Sequence, residues 1–334
     1  MDPLTQGALG AVFPQTIAKK AFVGRAGLFG FLAGVAADLD VFLRSSEDPL
    51  LFLEYHRQFT HSLVFIPIGG MLCGMLVYVL LGRRWNLSLS QSFVFCTMGY
   101  ATHALLDSCT SYGTQLLWPF SDVRVAWDAV SIVDPLFTVP LLFGIFMATR
   151  YKNPFLARAT LVWAIVYIGL GILQREEAII MGKELAVERG HKVMRIDAKP
   201  SFANIFLWKI VYETQEQFHV DAVRPSFFPK VFNGTSITKL NVSKDFPWLI
   251  PNSQQARDIE RFRWFSNRYV AKDPSHPNRV IDVRYSMVPN EIAALWSIEL
   301  SKTAPIDAHV KFLTNRERTE ERAVKVWSMI VSKH

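Results

Sequence analysis

The sequence predicts an α-helical integral membrane domain of about five spans, followed by an α+β soluble domain with an antiparallel sheet. Half of the 334 residues are hydrophobic, and the first part of the chain gathers them into long uncharged runs. Beyond about residue 175 the charge density becomes that of a soluble domain. There, short stretches alternate apolar and polar residues, the period of a half-buried strand. The expected boundaries are 1–175 for the membrane-embedded domain and 176–334 for the extramembrane domain.

Residues 3–18 are apolar but short and contain Pro14, so a half-helix or interfacial segment is expected. Ala26–Leu43 reads as the first span, interrupted by Asp38 and Asp40. Leu63–Gly82 (20 residues) and Leu89–Leu106 (18 residues) follow. Both approach the roughly 20 apolar residues that a helix needs to cross the hydrocarbon core. Leu136–Thr149 and Ala159–Gln174 need flanking residues to do so. Trp118-Pro-Phe-Ser-Asp reads as an interfacial loop, with an indole suited to the headgroup level.

Residues 175–192 read as a charged helix. Phe206–Tyr212, Ile281–Met287, Leu295–Leu300 and Val310–Leu313 read as strands, and Gln254–Asn267 and Arg316–Val331 as helices. The opening Met-Asp-Pro has no basic n-region, so a cleaved secretory signal is not expected. Three cysteines, two of them (Cys73 and Cys96) inside apolar runs, suit small core residues rather than a disulfide framework.

Net charge is +7. No basic stripe interleaved with stacking aromatics stands out, so membrane lipids rather than nucleic acid are the expected partners. Lysine and arginine also orient the chain. One set of loops carries Lys19, Lys20, Arg25, Arg83, Arg84, Arg150, Lys152 and Arg158; the other carries Arg44, Arg57 and Arg124. The positive-inside rule puts the first set in the cytoplasm, and the metal face and C-terminal domain on the periplasmic side.

Three His and carboxylate clusters end apolar stretches on the low-charge side: Asp38-Leu-Asp40, His56-Arg57-x-x-Thr60-His61-Ser62, and His103-x-x-x-Asp107. Asp122, Asp128 and Asp134 follow in the next loop. Ionisable groups at such depth are costly and tend to mark function. His103 and Asp107, four apart, share one helix face. Asp38 and Asp40, two apart, can reach one cation only from extended chain or a fraying helix end. His56 and His61, five apart, converge if a helix begins near Thr60. Mixed His and Asp ligands suit a divalent metal, zinc foremost, with manganese or iron as alternatives.

The signatures of zincin proteases, serine hydrolases and P-loop NTPases are absent, and His191, His219, His276, His309 and His334 are isolated along the chain.

The start Met-Asp-Pro-Leu-Thr-Gln-Gly-Ala-Leu-Gly, Ala-Asp-Leu-Asp-Val-Phe at 37–42, His-Arg-Gln-Phe-Thr-His-Ser at 56–62 and His-Ala-Leu-Leu-Asp at 103–107 resemble the YdjM-like family. Its members are described as LexA-regulated, inner-membrane, metal-dependent hydrolases. The likeness covers about the first 140 residues, and 199–208 resembles the tail of longer bacterial members. Two positions depart from the family pattern: Gln6 stands where many members have histidine, and Ala37 where many have proline. A more distant likeness to zinc-dependent phospholipases C and single-strand nucleases, carried by His-x-x-x-Asp, points to phosphoester chemistry.

The resemblance implies Asp38, Asp40, His61, His103 and Asp107 as metal ligands. His56 is expected as a ligand or general acid, and Arg57 as an anion clamp. The expected activity is hydrolysis of a lipid-linked or amphiphilic phosphoester at the outer face of the bacterial inner membrane. The alternative is a divalent-cation transporter or metal-dependent scaffold, but a transporter should carry polar residues near mid-membrane.

Overall fold

A computed structural model describes residues 1–226, 228–315 and 319–332. His334 and the start of the helix expected from Arg316 lie outside the described residues. The chain forms two compact units. One comprises Met1–Phe42, Tyr55–Ile172 and Phe202–Asn204, the other Leu43–Glu54, Leu173–Ser201 and Ile205–His334.

The first unit is helical. Helix α1 (Pro3–Gln15) starts on Asp2, whose carboxylate accepts from the Thr5 amide, and proline at the first helical position fits the fixed φ of that ring. Helix α2 (Val23–Ala36) passes directly into a 3₁₀ segment, Ala37–Phe42. The short α3 (Leu51–Tyr55), a 3₁₀ turn at Phe59–His61 and α4 (Phe65–Val77) follow. Helix α5 (Leu89–Ser108) opens with a capping box in which Ser88 and Gln91 exchange bonds. Helix α6 (Pro135–Arg150) and the first part of α7 (Pro154–Glu188), which passes into the second unit at Leu173, complete the unit's helices.

Among the described residues, three helices are long and apolar enough to cross a membrane: Lys20–Phe42, Phe65–Gly82 and Pro154–Glu188. Helix α6, at 16 residues, is shorter. Helix α5 has the length, but it carries Ser92, Thr102, His103, Asp107 and Ser108 buried inside the unit. Large apolar side chains such as Met71, Leu72, Phe143, Phe146, Ile165 and Leu173 are exposed, a surface unsuited to water.

Small residues let the interior helices meet backbone to backbone. A Cβ added at Gly30 on α2 would stand 2.1 Å from the Gly10 carbonyl oxygen of α1, and one added at Gly99 on α5 would stand 2.3 Å from the Gly30 oxygen. Around these crossings Phe29, Ala33, Phe95, Cys96 and Tyr100 form a buried cluster.

Helix α7 does not stop where the charges begin. It runs for 35 residues through Arg175, so the span and the charged helix expected separately are one element. Backbone hydrogen bonds are satisfied within the helix whatever the side chains face.

The second unit contains two four-stranded antiparallel sheets, each a meander of sequential neighbours. The first joins β1 (Arg195–Pro200), β2 (Trp208–Glu213), β3 (Gln217–Arg224) and β4 (Lys230–Thr238). The second joins β5 (Val270–Lys272), β6 (Arg279–Asp282), β7 (Trp296–Glu299) and β8 (Lys311–Thr314). The strand expected at 281–287 ends at Asp282, because the Asp282 carboxylate accepts from both the amide and the guanidinium of Arg284 and turns the chain.

Helices α8 (Val242–Asp245), α9 (Gln254–Phe265) and α10 (Thr319–Val331) accompany the sheets. Arg224 closes the end of α10 by donating to the carbonyls of Met329, Ile330 and Ser332.

Leu43–Glu54 belongs to this second unit. Leu50 and Leu53 are buried among Phe246, Ile259 and Phe262. Arg261 donates to Asp48 at 2.8 and 2.9 Å and pairs with Glu54.

Candidate metal centre

The 3₁₀ segment after α2 explains how Asp38 and Asp40 serve one region. At three residues per turn, positions two apart diverge by about 120°, less than on an α-helix. Tyr100 fixes the next turn by donating from its hydroxyl to the Thr60 carbonyl at 2.9 Å. His103 and Asp107 come one turn apart from α5, as expected.

These elements bring Asp38, His61, His103 and Asp107 together, with one ligand atom of each within 4.8 Å of the others. The two Nε2 atoms are 2.9 Å apart. Asp38 Oδ1 lies 3.5 Å from His61 Nε2 and 3.3 Å from His103 Nε2. Asp107 Oδ2 lies 3.4 and 3.9 Å from the same two nitrogens. All but Asp38 have fully buried side chains. Asp38, Asp40 and His56 form a second group that shares Asp38 with the first.

The surroundings decide which ring nitrogens carry protons. His103 Nδ1 lies 2.5 Å from the Gly34 carbonyl oxygen, which can only accept. Thr60 gives its hydroxyl proton to Asp40 at 2.7 Å and so accepts from His61 Nδ1 at 2.9 Å. Both Nδ1 atoms are therefore donors, and in the neutral rings both Nε2 lone pairs turn toward each other. Asp107 Oδ2 is buried and accepts no well-aligned hydrogen bond, although Arg57 Nε pairs with it at 2.9 Å. Four electron-rich atoms converging in a buried place need a positive charge between them. Burial opposes a charge on His61, but hydrogen bonds with Asp107, Asp38 and Asp40 prevail and push its imidazole up to about 10. A proton and a metal thus compete for one position. The donor set of two imidazoles and two carboxylates fits zinc, manganese or iron.

Asp40 supports this centre from behind. Its Oδ1 meets His56 Nδ1 at 2.7 Å, and its Oδ2 accepts from the Arg57 amide at 3.1 Å as well as from Thr60. Arg57 holds a left-handed backbone, φ 66°, costly for a branched-chain-sized residue and typical of functional turns. Its Nε lies 2.9 Å from Asp107 Oδ2, its Nη1 donates to Thr110 at 3.1 Å, and the guanidinium sits over the Tyr112 ring. His56 is partly exposed, unlike the other rings of the site.

Two contacts were not foreseen. Gln6 donates from Nε2 to Asp107 Oδ1 at 2.7 Å, and the Met1 ammonium donates to the same oxygen. Gln6 thus meets a ligand residue from the family's histidine position, and its own Oε1 is buried without a partner. The departure from Thr-His at 5–6 was the available signal. Asp134 instead caps α6, accepting from Leu136 and Phe137, and receives the Tyr167 hydroxyl at 2.9 Å. Of the tail histidines, His191 and His219 are not isolated, for their rings lie 4.3 Å apart beside Tyr212.

With this geometry established, comparison with known proteins is direct. The family model described as YdjM inner membrane protein matches residues 1–178. The chain belongs to that family. It is 35% identical over 105 residues to "Inner membrane protein YbcI" of Escherichia coli (strain K12), covering 30% of this chain and 51% of that protein. It is 23% identical over 190 residues to "Uncharacterized protein YfhP" of Bacillus subtilis (strain 168), covering 57% and 56% respectively. The matched regions span about half the length of each relative. No solved structure matches the chain. Family membership and the apolar helices together give an inner-membrane location.

Proposed function

We propose that this YdjM family member is a metal-dependent hydrolase of a lipid-linked or amphiphilic phosphoester, acting at the outer face of the inner membrane. The reading takes α5 and α6 as completing about five spans. The observation that carries it is the convergence of one ligand atom each from Asp38, His61, His103 and Asp107 within 4.8 Å of one another, with the two imidazole Nε2 atoms 2.9 Å apart. A bound divalent metal supplies a positive charge that brings the pKa of a water to about 7 and polarises a phosphoryl oxygen.

The remaining roles fall to this chain's own groups. Asp40 holds His56 by Nδ1, leaving Nε2 to carry a proton to a leaving oxygen as general acid. Arg57, anchored at Nε by Asp107 and at Nη1 by Thr110, has Nη2 left to offer a phosphate. Asp38, the one partly exposed member of the centre, marks the side from which substrate and water enter. The unequal distribution of basic loop residues supports a periplasmic placement of this face and of the tail.

The deciding test uses the purified protein in detergent micelles with a panel of lipid phosphoesters. Metal-dependent cleavage abolished by a chelator is expected. No cleavage of any phosphoester, together with metal-dependent cation flux in liposomes, would replace the hydrolase with a transporter.

A further inference from the structure

A cavity of about 530 Å³ lies in the second unit, far along the chain from the metal ligands and lined by Arg195, Lys239, Arg263, Arg268 and Glu213. Its volume falls within the roughly 300–1,000 Å³ of small-molecule sites. Four cations face it; two carboxylates pair with them, and the partly buried Asp197 also acts on Arg195. Glu213 pairs with both Arg195 and Lys239. Arg263 pairs with Glu260 of its own helix, which is 62% exposed at the side chain. Arg268 has no ion pair among the described residues.

Arg195 is held in place rather than left to solvent. Arg195 donates from Nη1 to the Asn267 carbonyl at 2.7 Å, and its guanidinium lies 3.7 Å from the centre of the Tyr269 ring. Asn267 and Arg268 both adopt left-handed backbones, φ 47° and 64°. The Arg268 amide then bonds the Arg263 carbonyl at 2.8 Å, which ties the two arginines to one turn. Two successive left-handed residues without glycine are a cost that this arrangement sustains. Phe218 and Val270 add an apolar part to the lining. A second cavity of about 520 Å³ shares Leu240 and Arg263 with the first and adds Arg257 and Glu260.

We propose that this cavity is a binding site for a phosphate-bearing ligand, whose anionic group sits among Arg195, Lys239, Arg263 and Arg268. Three arginines favour phosphate, since the guanidinium fork matches paired phosphate oxygens. An excess of cations over the carboxylates paired with them suits a phosphomonoester, which carries roughly −1.5 to −2 charge near neutral pH. The ligand is either a free phosphoanion or the headgroup of an anionic lipid. The site does not depend on the reading of the metal centre.

The experiment is isothermal titration calorimetry on the full chain in maltoside micelles, in a background of His61→Ala and His103→Ala that removes the metal centre as a competing anion site. The titrants are inorganic phosphate, short-chain phosphatidic acid and short-chain phosphatidylcholine. Phosphate or phosphatidic acid should bind, and Arg263→Gln with Arg268→Gln should weaken binding about tenfold or more. Equal affinity for both titrants identifies a free phosphoanion as the ligand; a clear preference for phosphatidic acid identifies a lipid. Arg268→Gln alone, at an exposed position, gives the same direction if the double variant does not fold. The proposal is overturned if neither anion binds, if phosphatidylcholine binds as well as phosphatidic acid, or if the folded variants bind as tightly as their parent.

Discussion

The Gly34 carbonyl oxygen on α2 and His103 Nδ1 on α5 are 2.5 Å apart, so a backbone atom of one helix fixes which nitrogen of the other helix's imidazole faces the metal centre. That bond depends on how closely the two helices approach, and the approach depends on residues that ligate nothing. Gly30→Val would drive a side chain into the Gly10 carbonyl, which stands 2.1 Å from the Cβ position. Bound metal, measured by mass spectrometry on purified protein, should drop about tenfold with every ligand intact. Wild-type metal content in a folded Gly30→Val protein would refute this coupling.

Direct ligand changes should act more strongly. His61→Ala, His103→Ala and Asp107→Asn should each abolish most metal binding. Asp40→Ala should lower it too, by freeing the rings of His56 and His61 that it holds. Full occupancy in all four variants would sink the site.

Arg57→Lys separates binding from turnover. Lysine keeps the charge beside Asp107 but cannot reproduce the planar fork. The variant should retain metal and lose about 10²-fold or more in turnover on a lipid phosphoester. Unchanged turnover would remove Arg57 from the mechanism.

Lys209 gives the tail unit a pH dependence of known sign. Its ammonium is buried, bonded to the Ser286 hydroxyl at 2.8 Å and the Glu291 carbonyl at 2.9 Å, and burial pushes it from 10.5 down to about 7. Below pH 7 both folded and unfolded chains carry the proton, and the folded state bears the cost of the buried charge. Between about 7 and 10.5 the unfolded chain keeps a proton that the folded one has lost, so stability rises with pH. The slope is at most about 1.4 kcal/mol per pH unit. Urea unfolding followed by tryptophan fluorescence should show this rise from pH 7 to 9 in the wild type, measured against Lys209→Met. Parallel pH profiles for the two proteins would count against it.

Topology can be read with reporters active only outside the cytoplasm. A fusion after Arg84 should be silent, and one after Gly190, where α7 has ended, should be active. The opposite pattern would turn the metal face toward the cytoplasm.

The ligand clusters were legible because charged and imidazole groups stand out against apolar runs, and the helix period pairs His103 with Asp107 directly. What orders them was not. The Gly34 carbonyl is a backbone atom that any residue would supply, and the Met1 ammonium reaches Asp107 only through the fold. In the tail, β2, β7 and β8 lie within a residue or two of the strands expected, whereas β1, β3, β4 and β5 were not expected. The physical reason is clearest in β3. Asp221 sits buried mid-strand because Arg189 meets it with two bonds, at 2.7 and 2.9 Å, and that partner lies 32 residues away in the chain. Local alternation cannot register a charge neutralised from such a distance.

The placement of Leu43–Glu54 makes the two units interleaved rather than consecutive. The chain departs from the helical unit just after Asp40, buries Leu50 and Leu53 in the tail's own apolar cluster, and re-enters just before His56. No single scission can therefore release the tail intact. A fragment ending at residue 178, the limit of the family match, would retain every ligand yet strand two leucines that have lost their neighbours. The ligand-bearing turns on either side of that excursion are in effect the two ends of a strap whose buckle is Arg261, grasping Asp48 and Glu54.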